Sequence, residues 1–298
     1  MDKQVPVDQS ARADEREQDG VREIMADLAY QRLAIANVAY YGRVGAGDGQ
    51  WVLIDAGVMG TAGPIAGAAD HRFGTAARPA AIVLTHGHFD HVGALRELAE
   101  RWDAPIYAHV LELPYLDGHA SYPPPDPSVG GGMMATLSRF YPRGPIDVRP
   151  WLRTLPADGA VPGMPGWRWI HTPGHTPGHV SLWRASDRTL LSADAVITTK
   201  QESAYAVATQ REELHGPPMY YTQDWTAAKA SVERLAALEP KVLVPGHGRA
   251  MQGPVMRAAL HALARDFYRV AVPEAGRYVA RPARPDESGG SYQPPSTQ

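Results

Sequence analysis

The segment Thr85-His86-Gly87-His88-Phe89-Asp90-His91-Val92-Gly93 places four side chains that can bind a metal ion within six residues. It follows Ala81-Ile82-Val83-Leu84, an apolar run that predicts a buried strand, and it leads into a predicted helix. Two histidines that lie two residues apart point the same way in an extended loop, and the Asp-His pair comes where the chain turns. One loop can therefore supply ligands to two metal ions.

Composition sets bounds on the function. The chain has 298 residues, 44% of them hydrophobic, which allows one large domain or two small ones. Its net charge of −3 argues against nucleic-acid binding through a basic face, and the absence of cysteine excludes a thiol nucleophile. The N-terminus lacks the apolar core of a secretion signal, and no apolar run is long enough to span a membrane. We therefore expect a cytoplasmic protein without a membrane partner.

The arrangement of predicted elements indicates an α/β protein. The strand at 81–84 is followed by an amphipathic helix at 94–102 and a strand at 105–109, a progression typical of layered α/β domains. We predict flexible tails at 1–20 and 273–298, because both segments are polar or rich in proline, glycine and charge. The remainder, 21–272, is predicted to be a single domain.

An irregular insertion interrupts this domain at 113–150. It is rich in proline and glycine, yet it also contains tyrosine, methionine and phenylalanine. Long irregular segments in compact domains are commonly functional. We predict a lid-like segment here, with a linker between domains as the alternative.

Further histidines and carboxylates stand at the ends of other predicted strands. They occur in Thr172-Pro173-Gly174-His175-Thr176-Pro177-Gly178-His179, in Ser192-Ala193-Asp194 and in Pro245-Gly246-His247-Gly248. With the loop at 85–91, the order and wording of these motifs resemble the metallo-β-lactamase superfamily over about residues 30–250. The resemblance implies an αββα sandwich of the metallo-β-lactamase type.

The resemblance also implies a set of ligands. One metal would be bound by His86, His88 and His175, and a second by Asp90, His91 and His247, with Asp194 bridging them. His175 is chosen because it matches the ligand of the family in Pro-Gly-His-Thr, which leaves His171 and His179 as structural residues or as residues that support the ligands. Two Zn²⁺ ions suit this cysteine-free set, although Fe and Mn also accept it.

A site of this kind predicts a dinuclear zinc-dependent hydrolase. A metal-bridging hydroxide would attack a carbonyl carbon of a small lactone, ester or thioester. Asp194 would hold the metals, and either Asp90 or a metal-bound water would protonate the leaving group. Asp55, Thr85 and Thr176 are candidates for orienting the ligands, and ordinary turn or strand-end roles are the alternative.

Two hydrolase branches of the family share all seven ligands, the glyoxalase II-like thioesterases and the quorum-quenching lactonases. The lactonases carry a catalytic tyrosine three residues after the bridging aspartate, where this chain has Ile197. Tyr205, Tyr220 and Tyr221 are candidate replacements. Arg139 and Arg143 are candidates for binding a substrate carboxylate, with solvated surface arginines as the alternative.

Three other functions remain open at this point. A mononuclear iron oxygenase of the persulfide-dioxygenase type would use a subset of these ligands, and a β-lactamase-like amide hydrolase usually lacks the bridging aspartate. A non-catalytic binding protein on the same fold is the third. The predicted partners are a small-molecule substrate, no nucleic acid and, through aromatic residues of the insertion, a second copy in a homodimer.

Overall fold

A computed structural model describes residues 4–283 of the chain. These residues form two compact units, each assembled from separate stretches of sequence. The eight-strand unit comprises 14–120 and 144–169, and the five-strand unit comprises the described residues of 1–13, 121–143 and 170–298. The stretch predicted as one domain is therefore divided between the two.

The eight-strand unit is a mixed sheet with helices. Its strands follow one another in chain order and are β2 (Arg16–Gln18), β3 (Val21–Met25), β4 (Leu28–Leu33), β5 (Ala36–Tyr41), β6 (Val52–Ile54), β7 (Ala81–Val83), β8 (Ile106–Ala108) and β9 (Leu152–Thr154). Neighbours from β2 to β6 are antiparallel, and those from β6 to β9 are parallel. Its helices are α1 (Ala62–Phe73), α2 (Phe89–Val92), α3 (Leu95–Trp102) and α4 (Leu113–Leu116).

The parallel strands place three loops at one edge of this sheet. Carboxyl ends of neighbouring parallel strands lie side by side, so the residues that follow β6, β7 and β8 come together. Helix α3 buries Leu98 and Trp102 at the predicted spacing, and the ring of Trp51 stacks on Phe73 with centroids 4.5 Å apart. This core supports the loop that carries the predicted ligands.

The five-strand unit contains a second mixed sheet. Its order is β10 (Trp167–His171), β11 (Val180–Arg184), β12 (Thr189–Ala193), β14 (Val242–Pro245) and β15 (Met251–Gln252), and the division between the units falls within β10. A separate two-strand pair joins β1 (Val5–Pro6) to β13 (Glu213–Leu214). The helices are α5 (Met133–Leu137), α6 (Ala204–Thr209), α7 (Trp225–Ala237), α8 (Gly253–Arg265) and α9 (Phe267–Val270).

The predicted N-terminal tail is wrong for most of its length. Strand β1 pairs with β13, strand β2 pairs with β3, and Ala11 between them is fully buried. The polar side chains that suggested disorder stand on short edge strands, where they face solvent while the backbone is paired.

The predicted C-terminal tail is wrong for residues 273–283. The Tyr278 hydroxyl donates to the Pro124 carbonyl, and the Arg277 backbone N–H donates to the Asp126 carboxylate. The backbone N–H of Ala283 bonds the Gln223 carbonyl at 3.0 Å. Proline and glycine let this stretch run over the unit as a strap, and the rest of the predicted tail, 284–298, lies outside the described residues.

The insertion at 113–150 is divided between the units. Its central part, 121–143, belongs to the five-strand unit, where Asp126 N–H bonds Tyr220 O at 2.8 Å and Met134 N–H bonds Glu202 O at 3.1 Å. These bonds tie it to the segment between β12 and α7, so it is a packed part of its unit. Its lid-like role stays a prediction. Among the described residues, no helix is long and apolar enough to cross a membrane.

Candidate metal centre

The loop after β7 holds four of the predicted ligands. His86, His88, Asp90 and His91 are all buried. The Nε2 atom of His86 lies 3.1 Å from Nδ1 of His88, and Asp90 and His91 offer ligand atoms within 4.8 Å of each other. His88 precedes helix α2, whose first turn carries the other two. The loop thus presents one pair of candidate ligands before helix α2 and the other pair on it.

Asp55 orients this loop from the end of β6. Its Oδ1 accepts the Thr85 N–H at 2.8 Å, and its Oδ2 accepts the Thr85 hydroxyl at 2.8 Å and Nδ1 of His91 at 2.9 Å. A carboxylate on Nδ1 leaves Nε2 as the nitrogen that binds a metal, the usual arrangement of a ligating histidine. The orienting role is therefore favoured over the turn role for Asp55, and Thr85 shares it through a 3.1 Å contact with Nδ1 of His86.

The five-strand unit holds the other three predicted ligands around a single oxygen. Oδ2 of Asp194 lies 3.0 Å from Nε2 of His247 and 3.4 Å from Nε2 of His175. All three side chains are buried. One carboxylate oxygen is therefore close to two imidazoles that the family assigns to different metals.

A local irregularity of the sheet aims Asp194. The register between β12 and β14 shifts between Leu191 and Ala193, and Ala193 adopts a positive φ of 47°. A non-glycine residue in this conformation costs about 1–2 kcal/mol, and bulges of this kind redirect side chains next to functional sites. The Asp194 N–H donates to Nε2 of His179 at 3.1 Å.

The other two histidines of the middle loop have structural contacts. His179 contacts the Thr172 hydroxyl through Nδ1 at 2.8 Å and the Asp194 backbone through Nε2, so both ring nitrogens are engaged. Nε2 of His171 donates to the Pro177 carbonyl at 2.8 Å, and this bond links two ends of the loop that carries His175. Both contacts agree with the prediction that these residues are structural.

Helix α7 supports the loop of His175. The Gly174 carbonyl accepts the N–H groups of Gln223 and Asp224, both at 2.9 Å. The Thr222 hydroxyl donates its proton to Pro218 O at 2.7 Å. Its oxygen lies 3.4 Å from Nδ1 of His175 and can accept a hydrogen bond from that nitrogen. This leaves Nε2 of His175 directed at Asp194.

The donor set fits divalent cations. Two nitrogens bound to one tetrahedral Zn²⁺ lie about 3.3 Å apart when each Zn–N bond is about 2.0–2.1 Å. The separation of 3.1 Å between the facing nitrogens of His86 and His88 is close to that value. Imidazole nitrogen and carboxylate oxygen suit Zn²⁺, Fe²⁺ and Mn²⁺ alike.

The predicted substrate contacts lie in different environments. Tyr205 is 75% exposed on α6, whereas Tyr220 and Tyr221 are buried, with the Tyr221 hydroxyl 3.4 Å from Pro142 O. Arg139 is exposed over the Phe140 ring, and Arg143 donates to Tyr122 O at 3.0 Å. Substrate binding by these residues stays a prediction, as do the metal-binding and catalytic roles of the seven ligands.

Two site residues went unrecognised in the sequence. Glu112 follows β8 and accepts the Gly87 N–H at 2.9 Å, and Thr222 contacts His175. The sequence did contain one signal for Glu112. It is the one charged residue of the apolar stretch Val110-Leu111-Glu112-Leu113-Pro114, which follows a predicted strand, and a charged residue in such a stretch indicates a buried polar contact. Thr222 carries no comparable signal, because its role arises from a loop distant in sequence.

Comparisons with known proteins place the chain in a family. The model of the metallo-beta-lactamase superfamily matches residues 35–247. The chain is 48% identical to "Probable metallo-hydrolase YflN" of Bacillus subtilis over 230 residues, which cover 77% of this chain and 87% of that protein.

Solved structures agree. A protein described as "TTHA1623 in a di-iron-bound form" is 26% identical with a TM-score of 0.50, covering 79% of this chain and 96% of that one. A beta-lactamase domain protein from Burkholderia ambifaria is 20% identical with a TM-score of 0.59, covering 86% and 79%. The α/β fold is therefore of the metallo-β-lactamase type, and the chain belongs to the metallo-β-lactamase superfamily as a metal-dependent hydrolase.

Proposed function

We propose that this protein is a dinuclear zinc-dependent hydrolase of a small lactone, ester or thioester. The observation that carries the proposal is the position of Oδ2 of Asp194, at 3.0 Å from His247 and 3.4 Å from His175. An oxygen shared in this way is the arrangement expected of a carboxylate that bridges two cations.

The ligand assignment follows the family pattern. His86, His88 and His175 would hold one cation, Asp90, His91 and His247 the other, and Asp194 both. Bound divalent cations supply a water that ionises near neutral pH and a Lewis acid that polarises a carbonyl oxygen. Buried ligands favour this chemistry, because exclusion of bulk water strengthens electrostatic interactions in the site.

The residues of the chain supply orientation and proton transfer. Asp55 holds His91 in the tautomer that presents Nε2, and Thr222 does the same for His175. A carboxylate oxygen of Asp90 is the candidate for delivering a proton to the leaving group. Its place on the first turn of α2 fixes it beside His91.

Two observations bear on the substrate class. Ile197 is buried, and its backbone pairs with His215, so the position that carries tyrosine in the lactonases offers no hydroxyl here. Tyr205 is the most exposed of the three candidate tyrosines. Thioesters and open esters therefore stand beside lactones as candidate substrates.

The alternatives differ in metal content. A mononuclear iron oxygenase needs one metal and would use only a subset of the seven candidate ligands. The similar protein TTHA1623 has been solved in a di-iron-bound form, which supports two metal ions over one. Because those ions are iron, we take iron as the alternative to zinc in this protein. Neighbours described as B3 metallo-beta-lactamases share the fold, so β-lactams belong in the substrate panel.

The test begins with metal analysis of protein purified without added metal. We expect about two zinc ions per chain, with fewer in His175→Ala and Asp194→Ala. His261→Ala removes an exposed histidine elsewhere in the same unit and is the matched control. One iron per chain, together with oxygen uptake, would overturn the proposal of a dinuclear zinc-dependent hydrolase.

The zinc-loaded protein is then assayed with a panel of lactones, esters, thioesters and β-lactams. Hydrolysis of any of the first three classes, lost in both ligand variants and retained in the control, supports the proposal. Two metals without turnover of any panel member would favour a binding protein.

A further inference from the structure

Glu112 is a fully buried carboxylate beside the ligand loop. It ends the 3-10 turn Val110–Glu112 that follows β8, and its relative exposure is 0%. Its Oε2 accepts the Gly87 N–H at 2.9 Å. Gly87 is the residue between His86 and His88, so this bond fixes the backbone that joins two predicted ligands.

The topology of the sheet explains the contact. Strands β7 and β8 are parallel neighbours, with Val83 opposite Tyr107, and the Leu84 N–H bonds Tyr107 O at 2.8 Å. The loop after β7 and the turn after β8 therefore leave the sheet side by side. Asp55 reaches the same loop from β6, on the other side of β7.

The energetics point to a role beyond packing. A buried carboxylate is expensive unless hydrogen bonds or charges compensate it, and a neutral side chain of this shape would fill the same space at lower cost. An N–H bond to an ionised acceptor is about twice as strong as one to a neutral acceptor. A negative charge at this place also favours a cation held by the adjacent histidines.

We propose that Glu112 is a positioning residue of the metal centre, which clamps the backbone between His86 and His88 and favours cation binding through its charge. The proposal rests on the assignment of these two histidines as ligands of one cation. With Asp55, it makes a pair of buried carboxylates that hold the ligand loop from the two neighbouring strands.

The test measures metal affinity and leaves turnover aside. Glu112→Gln keeps the shape and an acceptor oxygen but removes the charge, and Glu112→Ala removes both. Zinc dissociation constants are measured by chelator competition. We expect about 10-fold weaker binding in the glutamine variant and about 100-fold in the alanine variant, the range seen for residues that orient metal ligands.

Cobalt substitution adds a spectroscopic readout. The absorption bands of bound Co²⁺ should shift in both variants, because the histidine pair is held less tightly. Glu97→Gln, an exposed carboxylate on α3 of the same unit, is the matched control and should match the unmodified protein in both measurements.

The outcomes separate this proposal from the proposed function. Wild-type zinc affinity and cobalt spectrum in Glu112→Gln, with zinc lost in His86→Ala, would overturn the role of Glu112 and leave the metal site intact. If the alanine variant does not fold, the glutamine variant decides alone. If Glu112→Gln lowers the melting temperature of the metal-free protein as much as that of the metal-bound protein, each relative to the unmodified chain, Glu112 is a purely structural residue.

Discussion

Asp55 accepts hydrogen bonds from three groups of the ligand loop, and its own backbone lies in the left-handed region, which few residues other than glycine tolerate. Its φ is 61°, and its carboxylate accepts from Thr85 twice and from His91. Asparagine also tolerates this conformation, so Asp55→Asn changes the chemistry with little strain. Its amide nitrogen cannot accept the His91 N–H.

We therefore expect Asp55→Asn to weaken zinc binding about 10- to 100-fold, because His91 loses the acceptor that fixes its tautomer. Chelator competition measures the affinity. Asp48→Asn, which changes an exposed carboxylate paired with Arg78, is the control. Unchanged affinity in Asp55→Asn would show that the contact does not act on the metal.

Gly174 stands at a close approach of two backbones. Its φ is 133°, and a Cβ atom there would lie 2.3 Å from the Ala228 nitrogen at the start of α7. Gly174→Ala should lower the free energy of unfolding by about 3 kcal/mol, through backbone strain and overpacking. It should also reduce metal content, because His175 is the next residue.

Urea unfolding and metal analysis measure the two effects. Gly67→Ala adds the same methyl group on the exposed face of α1, where nothing lies within 4 Å, and should be neutral or stabilising. A stable Gly174→Ala variant with full metal content would contradict the close packing.

At the scale of elements, the strap at 273–283 depends on Asp126. Burial raises the pKa of this carboxyl, but hydrogen bonds from Ser128 and from the Arg277 backbone, with the Arg277 charge, outweigh it. The net pKa lies below the ordinary 3.8. A lowered folded-state pKa stabilises the protein above the unfolded value, and this contribution is lost as pH falls through the folded value.

The stability difference between the protein and Asp126→Asn should therefore be constant above about pH 5 and shrink as pH falls below about 4. Urea unfolding between these conditions measures it. Asp70→Asn, a half-buried carboxylate on α1, is a control for general acid effects. A difference that does not change with pH would mean that the charge of Asp126 does not hold the strap.

At the scale of the whole molecule, bound metal should contribute to stability. A ligand that binds only the folded state adds about 2.7 kcal/mol at a free concentration 100 times its dissociation constant. Chelation should therefore lower the melting temperature, and added zinc should restore it. Asp194→Asn should respond much less to either treatment.

The measurement is a thermal scan with and without chelator, with metal content recorded for each sample. Loss of metal without a change in melting temperature would contradict the coupling of the ligands to folding. The cytoplasmic location, the homodimer and the absence of a nucleic-acid partner stay predictions.

Local patterns in the sequence were sufficient for the ligand loop and for most elements near it. Four candidate ligands lie within six residues of one loop, so their spacing alone predicts the directions of their side chains. They are His86, His88, Asp90 and His91. Helix α3 follows the predicted amphipathic pattern and buries Leu98 and Trp102. The order of the four motifs was enough for the family.

The sequence by itself determined which residues are candidate metal ligands, because side-chain chemistry and the wording of the four motifs are properties of the sequence alone. Only the tertiary structure decided what holds them. Glu112 and Gly87 are 25 residues apart, and Thr222 and His175 are 47 apart. Such contacts depend on which strands are neighbours. The contacts that hold strand β1 and the segment 273–283, both predicted as parts of tails, likewise join residues far apart in the chain.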